Sequence, residues 1–198
     1  MADSRWLKAD EAVGFNAMAS LWDTLADLPS DHTGLHPPTA AVLVPLFEDD
    51  GGTVRVVITK RPDHMPSHPG QLAFPGGKID PVDTSVLAAA LREADEEVGI
   101  QPHQVTPLGF LEPVSTNRFD VVVAPVVGRL AGVPRLVPDP AEVASTMVPP
   151  LHPFLNEDRW RTENWSGHEL WFIEVEGEVL WGASAAIMRS LLGVVRGR

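Results

Sequence analysis

The stretch "FPGGKIDPVDTSVLAAALREADEEVGI", residues 74–100, constrains this chain more than any other. It places two glycines ahead of a helix-forming run and crowds four acidic residues, Glu93, Asp95, Glu96 and Glu97, into five positions near the end of that run. Like charges at helical neighbour spacing repel, so either water solvates them or a cation gathers them. At about 100° per residue, Leu87, Leu91, Ala94 and Val98 share an arc of about 60°, the expected core face. Glu93, Glu96 and Glu97 share an arc of about 100° on another side, with Arg92 beside Glu96. Asp95 points away from the three. Ala89 and Ala90 flank the glutamates, and their small side chains are expected to leave room above them. The pattern predicts a helix over 84–98, N-capped by Asp83 or Thr84 and closed by Gly99.

Strand-like apolar runs surround this helix at 39–47, 53–61, 105–114 and 119–130, with further strands within 142–150 and 168–182. "EDDGG" is a hairpin signal between the first two, and 61–77 is a Pro- and Gly-rich loop apart from a short "QLAF" strand. Residues 9–27 read as an amphipathic helix using Val13, Leu21, Trp22 and Leu25, followed by a linker over 28–38. A third helix is expected at 184–195, after an irregular stretch beyond residue 150. This order predicts an α+β chain built as an α/β/α sandwich. Residues 1–35 are its N-terminal helical arm and 36–198 the domain proper. The arm has three open roles: covering an apolar face, supporting a homodimer or shaping a pocket.

With 198 residues and 44% hydrophobic content, the chain can bury a substantial core. No apolar run approaches the ~20 residues of a membrane span. The N-terminus has no basic segment followed by an apolar stretch, so no signal peptide is expected. Zero cysteines exclude disulfides and thiolate chemistry, and a cytoplasmic protein is the expectation. A net charge of −12 argues against binding a nucleic-acid backbone. A small phosphorylated ligand stays open if arginines or a metal ion supply local positive charge.

Taken alone, "EADEEV" reads as a solvated acidic face. Three carboxylates at i, i+3 and i+4 can also hold a hard divalent cation, since Mg2+ and Mn2+ prefer carboxylate oxygen. The Gly76-Gly77 loop favours the second reading, because backbone without a Cβ can approach a ligand closely. No His-Glu-x-x-His pattern points to zinc.

These residues resemble the Nudix box, Gly-x5-Glu-x7-Arg-Glu-U-x-Glu-Glu-x-Gly-U, where U is bulky and aliphatic. Gly77, Arg92, Glu93, Glu96, Glu97, Gly99 and Ile100 match it. Asp83 stands where the first glutamate belongs, Ala94 replaces the aliphatic residue after Arg-Glu, and the spacer from Asp83 to Arg92 is eight residues. "KRPDHMPSHPGQLAFPGGKIDPVD" is further similar to the coenzyme A pyrophosphatase branch, in which that aspartate and longer spacer are normal. "LWGASAAIMRSLL" (180–192) resembles that branch's entry into its C-terminal helix. Pro62 and Pro66 depart from it, the latter where an arginine is usual.

The resemblance implies a mixed β-sheet and a hydrolase of nucleoside diphosphate derivatives, with coenzyme A the favoured small-molecule substrate. ADP-ribose or a dinucleoside polyphosphate is the alternative. It implies a Mg2+ or Mn2+ cofactor held by Glu93 and Glu97, with Glu96 third and the Gly77 carbonyl a further ligand. Arg92 would pair with Glu96 and hold the cluster together. The general base is either Glu93 or a later glutamate such as Glu142, which otherwise reads as a solvated loop residue. Arg61, His68 and Gln71 either contact substrate or only shape the pocket. Lys78, Arg118 and His64 read first as solvated polar residues, and Trp160, Trp165, Trp171 and Trp181 as core or interface. A silent binding module would be expected to lack box carboxylates, yet all three are present.

Overall fold

A computed structural model describes residues 15–32, 37–116, 121–165 and 167–197. Its elements run α1 (Phe15–Ala26), β1 (Ala40–Glu48), β2 (Val54–Val56), β3 (Ile58–Lys60), β4 (Leu72–Ala73) and β5 (Gly76–Lys78). Next come α2 (Val86–Val98), β6 (Val105–Phe110), β7 (Val114–Ser115), β8 (Val122–Leu130) and β9 (Ser145–Met147). The chain ends with β10 (Trp160–Trp165), β11 (His168–Val175), β12 (Glu178–Trp181) and α3 (Gly182–Val195).

The two longest apolar runs, β1 and β8, pair in parallel from Ala40↔Val123 to Leu46↔Arg129 at the centre of a sheet ordered β2-β1-β8-β6. β5 also pairs with β1 and β7 with β8, both antiparallel, which makes the sheet mixed. These central strands are continuously apolar because both faces are covered. Ala41, Leu43 and Phe47 pack with Ala90, Ala94 and Val98 of α2. Val44 and Leu46 pack on the opposite side with Leu21 and Leu25 of α1 and with Leu191 and Leu192 of α3. The sandwich expected from the element order is the observed one. Leu21, Trp22 and Leu25 place α1 over an apolar sheet face, one of the roles left open for the arm. Val13 lies outside the described residues.

Two small antiparallel sheets complete the fold, β4-β3-β9 and β10-β11-β12. The predicted strand 53–61 divides at Val57, whose N–H donates to the Pro45 carbonyl while β3 turns away to pair with β4 and β9. The predicted 168–182 strand is a hairpin turning at Glu176 and Gly177, both at positive φ. β10 falls in the stretch read as irregular. Only its first residue, Trp160, is buried, so the strand is held by its ladder with β11 and carries no alternating apolar pattern. Among the described residues no helix is long and apolar enough to cross a membrane.

α2 departs from its expected orientation. Ala89 and Ala90 are fully buried, while Leu87 and Leu91 are only partly so. The alanines therefore do not leave space above the glutamates; they let the helix backbone settle close to the sheet. The buried side is rotated toward the carboxylates and carries Glu97 inward. The N-cap is Ser85, whose side chain accepts from the Ala88 N–H, and not Asp83 or Thr84. Gly99 ends the helix in the left-handed region at φ 73°.

Candidate active site

β5 runs antiparallel to β1 directly beneath α2, so the two glycines face the glutamates. The Gly76 N–H donates to Glu97 Oε2 at 3.1 Å. At Gly77 a Cβ would lie 2.5 Å from Glu93 Oε2, so the bare backbone is what admits the Glu93 carboxylate. Glu142 arrives from the segment between β8 and β9. Oxygens of Glu93, Glu97 and Glu142 all lie within 4.8 Å of one another. Glu97 is 4% exposed, and burial pushes its carboxyl up to about 7. The Glu93 and Glu142 charges add to that rise, while the Gly76 bond and Arg61 oppose it. Burial also raises Glu93, against the pull of Arg92.

Glu96 does not join this trio. Its side chain is 61% exposed and accepts from Arg92 Nη1 at 2.8 Å. Glu142, rather than Glu96, stands beside Glu93 and Glu97 here, because the inward rotation of α2 leaves Glu96 on its outer flank. Arg92 also donates through Nη1 to Glu93 Oε1 at 2.9 Å and through Nη2 to the Lys78 carbonyl at 3.2 Å. Asp83 anchors the guanidinium, accepting from Nε and Nη2 at 3.0 Å each. The Arg92 bonds hold the Asp83 carboxyl below its usual range, and Asp83 in turn is the largest cause raising Arg92. This anchoring role replaces the expected cap. Its signal in the sequence was the place of Asp83 as the first acidic residue of the box.

The structure brings Arg61, His68 and Gln71 together in one loop. The Arg61 N–H donates to the Gln71 carbonyl at 3.0 Å, and His68 Nδ1 lies 3.0 Å from Gln71 Oε1. Arg61 Nε donates to the Ser67 carbonyl at 3.4 Å. Lys78 and His64 are exposed, and Arg118 lies outside the described residues. Trp160 and Trp171 pack edge to face beneath Arg189, whose guanidinium carbon is 5.2 and 4.2 Å from their ring centres. Trp181 stacks on Phe172, with Trp165 tilted beside it.

Three converging carboxylates, one of them buried, form a hard-oxygen donor set that fits Mg2+ or Mn2+. Asp83→Asn is expected to weaken Mn2+ binding by about tenfold, because the guanidinium that steadies Glu93 loses its charged anchor. Mn2+ titration followed by electron paramagnetic resonance would check this. Unchanged affinity would show that Arg92 holds its place without Asp83.

A family model for the NUDIX domain matches residues 37–172. Nudix hydrolase 15, mitochondrial, of Arabidopsis thaliana is 34% identical over 176 residues, covering 84% of this chain and 61% of the relative. The Enterobacter sp. (strain 638) protein named "Uncharacterized Nudix hydrolase NudL" is 40% identical over 159 residues, covering 77% of this chain and 80% of the relative. Among solved structures, a MutT/nudix family protein from Enterococcus faecalis superposes with a TM-score of 0.51 at 15% identity, covering 93% of this chain and 70% of the other. The chain belongs to the NUDIX family, and its sandwich is the Nudix fold. It spans 61% and 53% of the length of the two Arabidopsis relatives, numbered 15 and 22.

Proposed function

We propose that the chain is a metal-dependent Nudix hydrolase that cleaves the diphosphate of coenzyme A or a derivative. The products would be 3′,5′-ADP and a 4′-phosphopantetheine compound. The observation that carries the hydrolase reading is the meeting of Glu93, Glu97 and Glu142 within 4.8 Å, with the Gly76-Gly77 backbone against Glu97 and Glu93. Glu93 and Glu97 would hold the ion, with Glu142 beside them and the Gly77 carbonyl as a further donor. A bound Mg2+ or Mn2+ there supplies charge neutralisation of the diphosphate, polarisation of a phosphoryl oxygen and a more acidic water. Glu142, the most exposed of the three, would accept the proton of the attacking water. Arg61 offers its positive charge to the phosphates, and His68 with Gln71 bounds the same loop. Arg92 keeps Glu93 aimed at the cluster.

Coenzyme A is favoured by the "KRPDHMPSHPGQLAFPGG" segment, which is similar to that branch and forms the Arg61–Gln71 loop. Pro66, exposed where the branch usually carries an arginine, supports a second reading. On that reading another nucleoside diphosphate derivative, such as ADP-ribose or a dinucleoside polyphosphate, is the substrate.

Product analysis with coenzyme A, ADP-ribose and diadenosine polyphosphates, each with Mg2+ or Mn2+, separates the two. Appearance of 3′,5′-ADP from coenzyme A, lost on chelation, is the expected result. Faster cleavage of another substrate would keep the carboxylate site and discard coenzyme A.

A further inference from the structure

Glu142 lies 45 residues beyond Glu97, on an exposed turn that the wheel of α2 says nothing about. What holds its carboxylate against the other two is visible in the backbone. The Asp139 carbonyl accepts from the N–H groups of Glu142 at 3.0 Å and Val143 at 2.8 Å, closing one helical turn. Asp139 Oδ1 accepts from the Ala141 N–H at 2.9 Å, and Pro140 occupies the first position of the turn. This is an N-cap aspartate followed by proline, with Glu142 at the third position. A glutamate at that position ordinarily reaches back to the cap's own N–H. Here the Asp139 N–H is already engaged: it donates to the Glu97 carbonyl at 2.9 Å. The Val137 N–H donates to the Val98 carbonyl at 2.9 Å in the same way.

The turn is fixed at its other end as well. Val143 is 2% exposed and packs in the core with Ala89 and Ala94 of α2. The next residue, Ala144, donates its N–H to the Lys60 carbonyl at 2.8 Å, beside Arg61. Glu142 is thus clamped between the end of the carboxylate helix and the start of the substrate loop.

We propose that Asp139 is the positioning residue of the site. Its side chain caps the turn, and its N–H, bonded to Glu97, denies Glu142 the local partner it would otherwise take. The Glu142 carboxylate is thereby directed to Glu93 and Glu97. This rests on the three-carboxylate reading given above.

Mn2+ titration of the metal-free full chain, without substrate, tests it alongside a thermal melt. Asp139→Ala should weaken Mn2+ binding about fivefold, the scale of a lost N-cap. Asp139→Asn, which caps equally well, should restore it. In a Glu142→Gln background Asp139→Ala should add nothing, because the two residues act as one unit. Equal losses for the Ala and Asn variants, no loss in either, or an additive loss with Glu142→Gln would each overturn the proposal. If Glu97→Gln and Glu142→Gln themselves leave Mn2+ binding unchanged, the carboxylate reading fails and takes this one with it.

Discussion

Glu97→Gln is expected to lower hydrolysis by on the order of 10³-fold while making the metal-free protein more stable at pH 8. The first half follows from electrostatics. Several kcal/mol of transition-state stabilisation come from a metal ion at such a site, and each 1.36 kcal/mol is about tenfold in rate. Gln keeps an oxygen for the Gly76 N–H bond but removes the charge at the buried corner of the cluster. The second half follows from linkage. The Glu97 carboxyl is raised from 4.5 to about 7 in the folded chain, so the fold binds more protons than the unfolded chain between those values. Stability from this group is therefore fully present below about pH 4.5 and is lost as pH rises toward 7. The loss amounts to about 3 kcal/mol. In the variant that slope is absent, which for a chain of this length corresponds to a melting temperature higher by about 6–12 °C at pH 8 without metal.

Mg2+ or Mn2+ should close the gap from the other side. Adding either ion should raise the melting temperature of the parent at pH 8, where Glu97 is ionised, and do little for the variant. Melts at pH 5 and pH 8, with and without Mn2+, read all of this in one experiment. Retained hydrolysis within tenfold, or identical melting temperatures at pH 8, would remove Glu97 from the centre of the site.

Much of this arrangement was legible in the residues. β1 and β8 announce themselves as long apolar runs because both of their faces are buried, and α2 shows clear periodicity. Glu93 and Glu97 stand together at i and i+4 for the same reason. What was not legible depends on contacts distant in sequence. β10 has no apolar alternation, and β5 is Gly-Gly-Lys, which carries no strand signal until β1 pairs with it. The wheel misplaced Ala89 and Ala90 because it weights large apolar residues, whereas the close seat of α2 on the sheet selects small ones. Glu142 could be singled out only as one loop glutamate, since the Asp139–Glu97 bond that brings it in spans 42 residues.

The two adjacent glycines should respond to alanine in opposite ways, and this contrast separates fold from site. At Gly76, φ is 155° and a Cβ would lie 2.4 Å from the Ala41 carbonyl oxygen and 2.5 Å from Val42 Cα. Both atoms are backbone of the central strand and cannot yield without breaking the Val42↔Gly76 register. Backbone strain and overpacking together set the cost of Gly76→Ala at about 4 kcal/mol, a large share of the 5–15 kcal/mol that typically holds a domain together. At Gly77 the clash is with the end of the Glu93 side chain, which can swing away. Gly77→Ala should therefore fold with nearly the parental melting temperature yet lose Mn2+ affinity by about 10²-fold, as Glu93 is driven out of the cluster. Thermal melts and Mn2+ titrations of the pair would decide it. A Gly77→Ala protein that binds Mn2+ normally would mean that Glu93 holds no ion there; a Gly76→Ala protein of parental stability would mean that β5 does not lie against β1 as described.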